Sequence, residues 1–286
     1  MRNRTAGTTG RATSGPGAST WEAPAKLTLS LRVTGVRPDG FHLLESEMVT
    51  LDLADTLVVE DPPPGGAGSL SVVPDWPGGG GGWRDLTTGP DADNLVSRAL
   101  ALVGRTARVR LVKRIPPGAG LGGGSADAAA VLRWAGWTDV TAAARLGADV
   151  PFCLTGGRAR VSGIGEELAP LPFEERSFVL VLPPFGVETA AVYRAWDAMA
   201  ADGRLPPPGS VVNDLEAAAL AVEPRLARWR RALEEVTGRT ARLAGSGSSW
   251  FVEGSPADLG VEGLAWLEAD GGRAPLVGTR TAPPRG

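Results

Sequence analysis

The 286-residue chain has few of the residues that build several common kinds of site. It has one cysteine, Cys153, and one histidine, His42. An internal disulfide, a cysteine-based metal cluster and a site with several histidines are therefore excluded, and a catalytic triad could use only His42. Lysine is equally scarce, because Lys26 and Lys113 are the only two among 29 lysines and arginines. A lysine such as Lys26 is therefore unusual in a chain that uses arginine almost everywhere. Arginine cannot replace lysine at a position that needs a compact point charge.

Long apolar runs and a basic stripe are also missing. No run approaches the ~18 residues of a transmembrane helix, and the N-terminus lacks the apolar stretch of a secretory signal. The net charge is −3, which makes nucleic acid and membrane surfaces unexpected partners. Hydrophobic content of 43% and charged content of 21% are typical of a globular protein. We expect a cytoplasmic protein that is a monomer or a weak homodimer.

The most distinctive stretch is rich in glycine. Five glycines fall among the eight residues 118–125, and an alanine-rich segment follows. That segment predicts a helix with Ser125 as its N-cap. A glycine loop that leads into a helix N-terminus exposes free amides and the positive end of the helix dipole, so it favours an anion such as phosphate. A flexible linker is the alternative, but a linker would not lead directly into a capped helix.

The loop differs from the two commoner phosphate loops. A P-loop needs lysine before its final Ser or Thr, and no lysine lies there. Gly118, Gly120 and Gly123 match the dinucleotide-binding pattern, but that pattern also needs an acidic residue at a strand end about 20 residues later. Asp139 has nearly the right spacing, yet no strand pattern precedes it.

The pattern Pro-x-Gly-x-Gly-Leu-Gly-Gly-Gly-Ser, followed by an alanine-rich helix, resembles the central motif of the GHMP small-molecule kinases. The resemblance implies that the loop binds the phosphates of ATP together with Mg²⁺. It implies no dedicated protein metal site, although the Ser125 hydroxyl could contact the ion. The residues that it assigns to ATP binding are Pro116, Pro117, Gly118, Ala119, Gly120, Leu121, Gly122, Gly123, Gly124, Ser125 and Ala126.

Two blocks near the N-terminus narrow the resemblance. Ala-Pro-Ala-Lys-Leu ends at Leu27, and Asp-Gly-Phe-His ends at His42. They resemble the GHMP kinases that phosphorylate a cytidyl-linked sugar alcohol in the non-mevalonate isoprenoid pathway. The resemblance implies that Lys26 lies beside a catalytic aspartate and that Phe41 and His42 hold the cytosine of the substrate. Tyrosine is common in the family where Phe41 stands, so stacking on the base is kept but a phenol hydrogen bond is not. Without the resemblance, His42 would be interpreted as a surface turn histidine.

Two further blocks resemble the same family. In Leu-Gly-Ala-Asp-Val-Pro the aspartate is Asp149, which the resemblance implies to be catalytic and in contact with the substrate. From the residues alone it would be a turn or helix-end aspartate before proline. Gly245-Ser246-Gly247 resembles the third motif of the GHMP kinases, a glycine turn that the family places against substrate and phosphates. A tight hairpin explains that stretch equally well.

The resemblance implies an α+β fold with two domains, mixed and antiparallel sheets, and an active site in the cleft between the domains. We expect a disordered tail over residues 1–20, an N-terminal domain over 21–172 that holds the ATP loop and the catalytic residues, and a C-terminal domain over 173–286. Pro170-Leu171-Pro172 marks the boundary between the two domains.

Three local patterns give more detailed expectations. Leu27, Leu29, Leu31 and Val33 alternate with polar residues and predict a half-buried strand. The polar residues at 52–55 predict a hairpin turn. Asn213-Asp214-Leu215-Glu216 predicts a helix capping box.

The function that we expect is phosphoryl transfer from ATP to a hydroxyl of the cytidyl substrate. Asp149 would accept or orient the hydroxyl proton, and Lys26 would place a positive charge beside it. Two alternatives stay open. One is another GHMP activity, of the homoserine or mevalonate type, and the other is a non-catalytic nucleotide-binding relative.

Overall fold

The computed structural model describes residues 17–62, 64–77, 94–207, 209–269 and 271–285. Residues 1–16 of the predicted tail lie outside this part. The last residues of that tail, Ala18–Thr20, form the beginning of the first strand, where they pair with residues 58–60. The tail prediction is therefore wrong at these positions, because the backbone groups there join a sheet.

The described residues form two sheets and seven helices. In the first sheet, strand β1 pairs with β2, and the others follow the order β3-β4-β2-β5-β6, with only the β3–β4 pair parallel. The second sheet has the order β10-β11-β7-β9-β8 and is antiparallel. The strands are β1 Ala18–Val36, β2 His42–Glu60, β3 Ser69–Pro74, β4 Arg108–Lys113, β5 Arg158–Gly163, β6 Glu167–Pro170, β7 Ser177–Val181, β8 Arg242–Leu243, β9 Trp250–Glu253, β10 Trp266–Ala269 and β11 Gly272–Arg280. The helices are α1 Leu95–Leu102, α2 Gly123–Trp134, α3 Val140–Ala143, α4 Val150–Thr155, α5 Thr189–Ala201, α6 Glu216–Val222 and α7 Leu226–Thr237. The expected α+β class, with a mixed and an antiparallel sheet, is confirmed.

Strand β1 is buried on both faces in its central part, not half-buried as its alternation predicts. All residues from Ala23 to Leu29 are buried. Leu27 and Leu29 belong to a hydrophobic core that also contains Phe178 and Phe251 from the second sheet. The polar side chains of β1 are covered by glycine-rich loops from elsewhere in the chain, which hydrophobic alternation does not reveal.

Strand β2 continues through residues 52–55, so the predicted hairpin is wrong. The register with β1 moves from Pro24 opposite Ala54 to Lys26 opposite Thr50, which leaves a bulge on β2. Asp52 lies in this bulge and accepts hydrogen bonds from Thr279 Oγ1 at 2.5 Å and from the Arg280 amide at 3.1 Å. The polar residues therefore anchor other segments instead of forming a turn.

The two sheets share the core described above, and the chain passes from the first sheet to the second between Pro170 and Ser177. Strand β1 also reaches across, since the Leu31 amide donates to the Val212 carbonyl and the Leu31 carbonyl accepts from the Asp214 amide, both at 3.0 Å. The division of the chain at residue 172 stays a prediction. None of the described helices is long and apolar enough to cross a membrane.

Candidate active site

A cleft of about 470 Å³ lies where the two sheets meet. Its walls come from β1, the glycine-rich loop, the segment before α4, the first turns of α5 and the loop before β9. The lining residues are Lys26, Thr28, Leu31, Leu44, Met48, Asn94, Leu95, Leu111, Lys113, Ile115–Ser125, Asp127, Ala148, Asp149, Thr189, Tyr193, Leu215, Gly245 and Ser246. The cleft thus brings together every glycine motif singled out in the sequence.

The glycine-rich loop, residues 116–125, leads directly into helix α2. We call it the phosphate loop from here on. The helix begins at Gly123, and its N-cap is Gly122 in the left-handed conformation at φ 68°. Ser125 therefore lies in the first turn and is not the N-cap, which corrects the prediction. Because Gly122 has no side chain to cap the helix, the first amides of α2 are left for an anion in the cleft.

The phosphate loop packs against the loop that contains Gly245-Ser246-Gly247. The Gly118 carbonyl accepts from the amides of Ser248 at 2.9 Å and Val187 at 3.1 Å, and the Ala119 carbonyl accepts from the Ser249 amide at 3.1 Å. Gly120 makes the closest approach, since a Cβ there would lie 2.0 Å from the Ala244 carbonyl oxygen. The loop that contains Gly245-Ser246-Gly247 thus supports the phosphate loop, and its Gly245 and Ser246 line the same cleft.

Asn213 holds this supporting loop in place. Its side-chain Nδ2 donates to the carbonyls of Gly245 at 2.7 Å and Leu243 at 3.0 Å, and its Oδ1 accepts from the Leu215 amide at 3.0 Å. Helix α6 begins at Glu216 with Leu215 as its N-cap. The predicted capping box is therefore wrong, because the Asn213 side chain bonds to a distant loop and to an amide that precedes the helix.

Lys26 and Asp149 form an ion pair inside the cleft. Lys26 Nζ lies 3.2 Å from Asp149 Oδ2, with the side chains 6% and 28% exposed. The Lys26 amide donates to the Leu121 carbonyl at 3.0 Å, and Nζ donates to Thr28 Oγ1 at 3.1 Å. A Cβ on Gly122 would lie 2.7 Å from Lys26 Cγ. The lysine side chain is therefore confined beneath the phosphate loop, with its charge directed at the carboxylate.

Asp149 stands at the N-cap position of α4 but makes no side-chain capping bond. Its carboxylate is turned toward Lys26 and remains partly open to the cleft. A partly exposed carboxylate beside a buried ammonium can accept a proton from a hydroxyl group bound in the cleft. The geometry therefore brings the two predicted catalytic residues together beside the phosphate loop.

Phe41 and His42 lie at the turn between β1 and β2, toward α5. His42 Nε2 is 2.7 Å from Asp197 Oδ1, and the His42 ring lies 4.6 Å from the Tyr193 ring between centroids. Phe41 is 57% exposed. Of the described residues around this turn, Tyr193 and Leu44 line the cleft, whereas Phe41 and His42 do not.

Comparison with known proteins agrees with this arrangement. Residues 94–157 match the family model for the N-terminal domain of GHMP kinases. The chain is 42% identical to 4-diphosphocytidyl-2-C-methyl-D-erythritol kinase of Paracoccus denitrificans (strain Pd 1222), over 90% of this chain and 91% of that protein. It is 40% identical to the kinase of the same name from Cereibacter sphaeroides (strain ATCC 17025 / ATH 2.4.3), over 86% and 96%.

The chain belongs to the 4-diphosphocytidyl-2-C-methyl-D-erythritol kinase family. A crystal structure of 4-(cytidine 5'-diphospho)-2C-methyl-D-erythritol kinase matches it with a TM-score of 0.63 and 32% identity, covering 92% of this chain and 99% of the other. The resemblance drawn from the sequence motifs is confirmed. These relatives favour phosphorylation of the cytidyl substrate over the activity of a homoserine or mevalonate kinase.

Sequence reasoning missed Tyr193 as a residue of this kinase's cleft. Its ring contacts His42, and burial, with a further contribution from the Asp149 carboxylate, raises the pKa of its phenol. A tyrosine phenol is protonated at neutral pH even at its ordinary pKa, so Tyr193 can donate a hydrogen bond. In the sequence Tyr193 looks like one residue of an amphipathic helix, and only its being the single tyrosine of the chain distinguishes it.

A buried network of Lys113, Asp55 and Asp127 was also missed. Lys113 Nζ donates to Asp127 Oδ2 at 2.7 Å and to Asp55 Oδ2. Burial, partly offset by Lys113, raises the pKa of Asp127 to about 7. Burial acts to lower the pKa of Lys113, but the two carboxylates outweigh it and raise that pKa. The scarcity of lysine is the signal in the sequence that points to this network, because Lys113 is one of only two lysines in the chain.

Cys153 is the single cysteine of the chain. It is 6% exposed on α4. Burial, followed by the Asp149 carboxylate, raises the pKa of its thiol above the usual range. The thiolate is the reactive form of cysteine, so this side chain is expected to behave as a core residue.

The contact between the two glycine loops leads to a stability prediction. Gly120→Ala should lower the free energy of unfolding by at least ~2 kcal/mol more than Gly136→Ala, because the added Cβ meets the Ala244 carbonyl. Gly136 is the matched control, since it has φ +73° against +77° for Gly120 but open space around its Cβ. Urea denaturation measures both variants. Equal losses would show that backbone strain alone, and not the loop contact, determines the cost.

Proposed function

We propose that this kinase transfers the γ-phosphoryl group of ATP to the 2-hydroxyl of 4-diphosphocytidyl-2-C-methyl-D-erythritol in the non-mevalonate isoprenoid pathway. The single observation that carries the proposal is the Lys26–Asp149 ion pair, 3.2 Å long, beside the phosphate loop. The names of the relatives identify the substrate, and the cleft is the place where it would react. Cytoplasmic location and a monomeric or weakly dimeric state remain predictions.

The residues of the cleft fit a nucleoside triphosphate. The phosphate loop presents backbone amides with no side chain above Gly122, and α2 directs its N-terminus at the same point. Ser125, in the first turn of α2, offers its hydroxyl oxygen to a divalent cation in the cleft. Mg²⁺, when bound, would neutralise charge on the phosphates, and it usually takes few protein ligands.

Phosphoryl transfer needs positioning and charge more than covalent help from the protein. Asp149 would accept the proton of the attacking hydroxyl, since its carboxylate is partly open to the cleft. Lys26 fixes the position of that carboxylate and places a positive charge where negative charge develops. Lys26 is held by a backbone hydrogen bond to the phosphate loop, and Asp149 is paired with Lys26, so the acceptor hydroxyl and the phosphates would meet at one place.

The cytidyl end of the substrate would lie toward the β1–β2 turn and α5. Phe41 and Tyr193 provide aromatic faces there, and His42 provides a ring nitrogen for a hydrogen bond with the base. His42 Nε2 is paired with Asp197, which fixes the orientation of the ring. The exposed Phe41 is available to stack on a flat base.

The function is tested by ADP release with the cytidyl substrate, mevalonate and homoserine, each with ATP and Mg²⁺. We expect ADP release with the cytidyl substrate alone, and almost none from Asp149→Asn, which keeps the shape of the side chain. Turnover of mevalonate or homoserine instead would assign a different GHMP activity. ATP binding without turnover of any of the three would favour the non-catalytic relative.

The position of Phe41 leads to a specificity prediction. Phe41→Ala should raise KM for the cytidyl substrate by roughly tenfold, because stacking on a base contributes ~1–3 kcal/mol. KM for ATP should change little. Phe173→Ala is the matched control, since Phe173 is also an exposed phenylalanine, at 42%, but lies in the connection between β6 and β7 and not at the β1–β2 turn. If Phe41→Ala raised KM for ATP and left the cytidyl substrate unaffected, the turn would belong to the nucleotide side of the cleft.

A further inference from the structure

Asp55, Lys113 and Asp127 form a buried polar network behind the phosphate loop. Their side chains are 0%, 5% and 4% exposed. Burying three ionisable groups is unfavourable in free energy, because burial removes their hydration. Their mutual attraction offsets this penalty only when the geometry is good. An apolar cluster of similar volume would stabilise the fold as well or better. Stability alone therefore does not explain the network.

The network joins the two ends of the phosphate loop. At the entry, Asp55 Oδ1 accepts hydrogen bonds from the amides of Arg114 at 2.5 Å and Ile115 at 2.8 Å, just before Pro116. At the exit, Lys113 Nζ bonds to Asp127 on α2, just after Ser125. Because Lys113 also bonds to Asp55, a single carboxylate on β2 is connected to both ends.

The loop also packs directly on this network. A Cβ on Gly123 would lie 3.1 Å from Lys113 Nζ and 2.9 Å from Ile115 Cγ2. Glycines leave a loop with many accessible conformations, and amides bind phosphate well only when they are already directed at it. A fixed support under the first residue of α2 would restrict those conformations.

We propose that the Asp55–Lys113–Asp127 network is a positioning unit that holds the phosphate loop in its nucleotide-binding conformation. The proposal rests on the proposed function, since it assumes that the loop binds ATP. Lys113 and Asp127 reach the wall of the cleft but are almost fully buried, so the network acts on the phosphate end of the nucleotide through the loop and does not recognise the base.

The test compares Asp127→Ala, which disconnects the exit end, with Asp127→Asn, which keeps an oxygen for Lys113. Calorimetry with MgATP and no cytidyl substrate should show affinity weakened about tenfold or more in the alanine variant and largely restored in the asparagine variant. The ratio of ATP to GTP affinity should stay as in the wild type, and KM for the cytidyl substrate should stay within about twofold. Asp52→Ala is the matched control, because it removes a β2 carboxylate that anchors β11 and not the loop.

Several results would overturn the proposal. They are unchanged ATP affinity in Asp127→Ala, a parallel rise in KM for both substrates, or a changed preference between ATP and GTP, which would indicate direct contact with the base. If Asp127→Ala does not fold, Asp127→Leu carries the same expectation, since it fills the space and leaves Lys113 paired with Asp55. A wild-type protein that binds no ATP would overturn the proposed function as well, whereas equal binding by wild type and Asp127→Ala would overturn this inference alone.

Discussion

The confinement of the Lys26 side chain is the constraint on which the rest of the site depends. Gly122 covers its aliphatic part, Gly245 lies close to its ammonium group, and the Asp149 carboxylate forms an ion pair with that group. A larger residue at Gly122 would place its Cβ 2.7 Å from Lys26 Cγ and displace the lysine, and the carboxylate would then lose its partner. The glycines near Lys26 therefore do two things, because they leave amides open to phosphate and also make room for the lysine below.

The architecture explains how such a site arises between distant parts of the chain. Strand β1 is buried on both faces because one side packs into the core shared by the two sheets and the other meets the glycine loops. The supporting loop is held by Asn213, and the phosphate loop is held by Asp55 and Lys113. Buried polar side chains thus fix loops whose own sequences would leave them flexible, which is consistent with buried polar groups being hydrogen-bonded.

The family could be recognised from local sequence motifs, and the resemblance that these motifs carry implied the fold class and the pairing of Lys26 with Asp149. Sequence reasoning failed where a polar residue bonds to a segment far along the chain. Asp52 looks like part of a turn and Asn213 like a helix cap, yet both anchor distant segments. Ser125 looks like the N-cap, but the helix begins earlier, at Gly123, after Gly122 in a left-handed conformation that glycine adopts without steric cost. Tyr193 has no motif, and its role emerges only when α5 meets the β1–β2 turn.

The central claim is that Lys26 and Asp149 act as one unit in phosphoryl transfer, and a double-mutant cycle on kcat tests it most directly. Asp149→Asn and Lys26→Met, which keeps the space between the glycines filled, should each lower kcat by about 10²–10⁴-fold. The double variant should be little worse than either single variant, because each change already breaks the same unit. Losses that multiply in the double variant would show that the two residues act independently and would contradict the account.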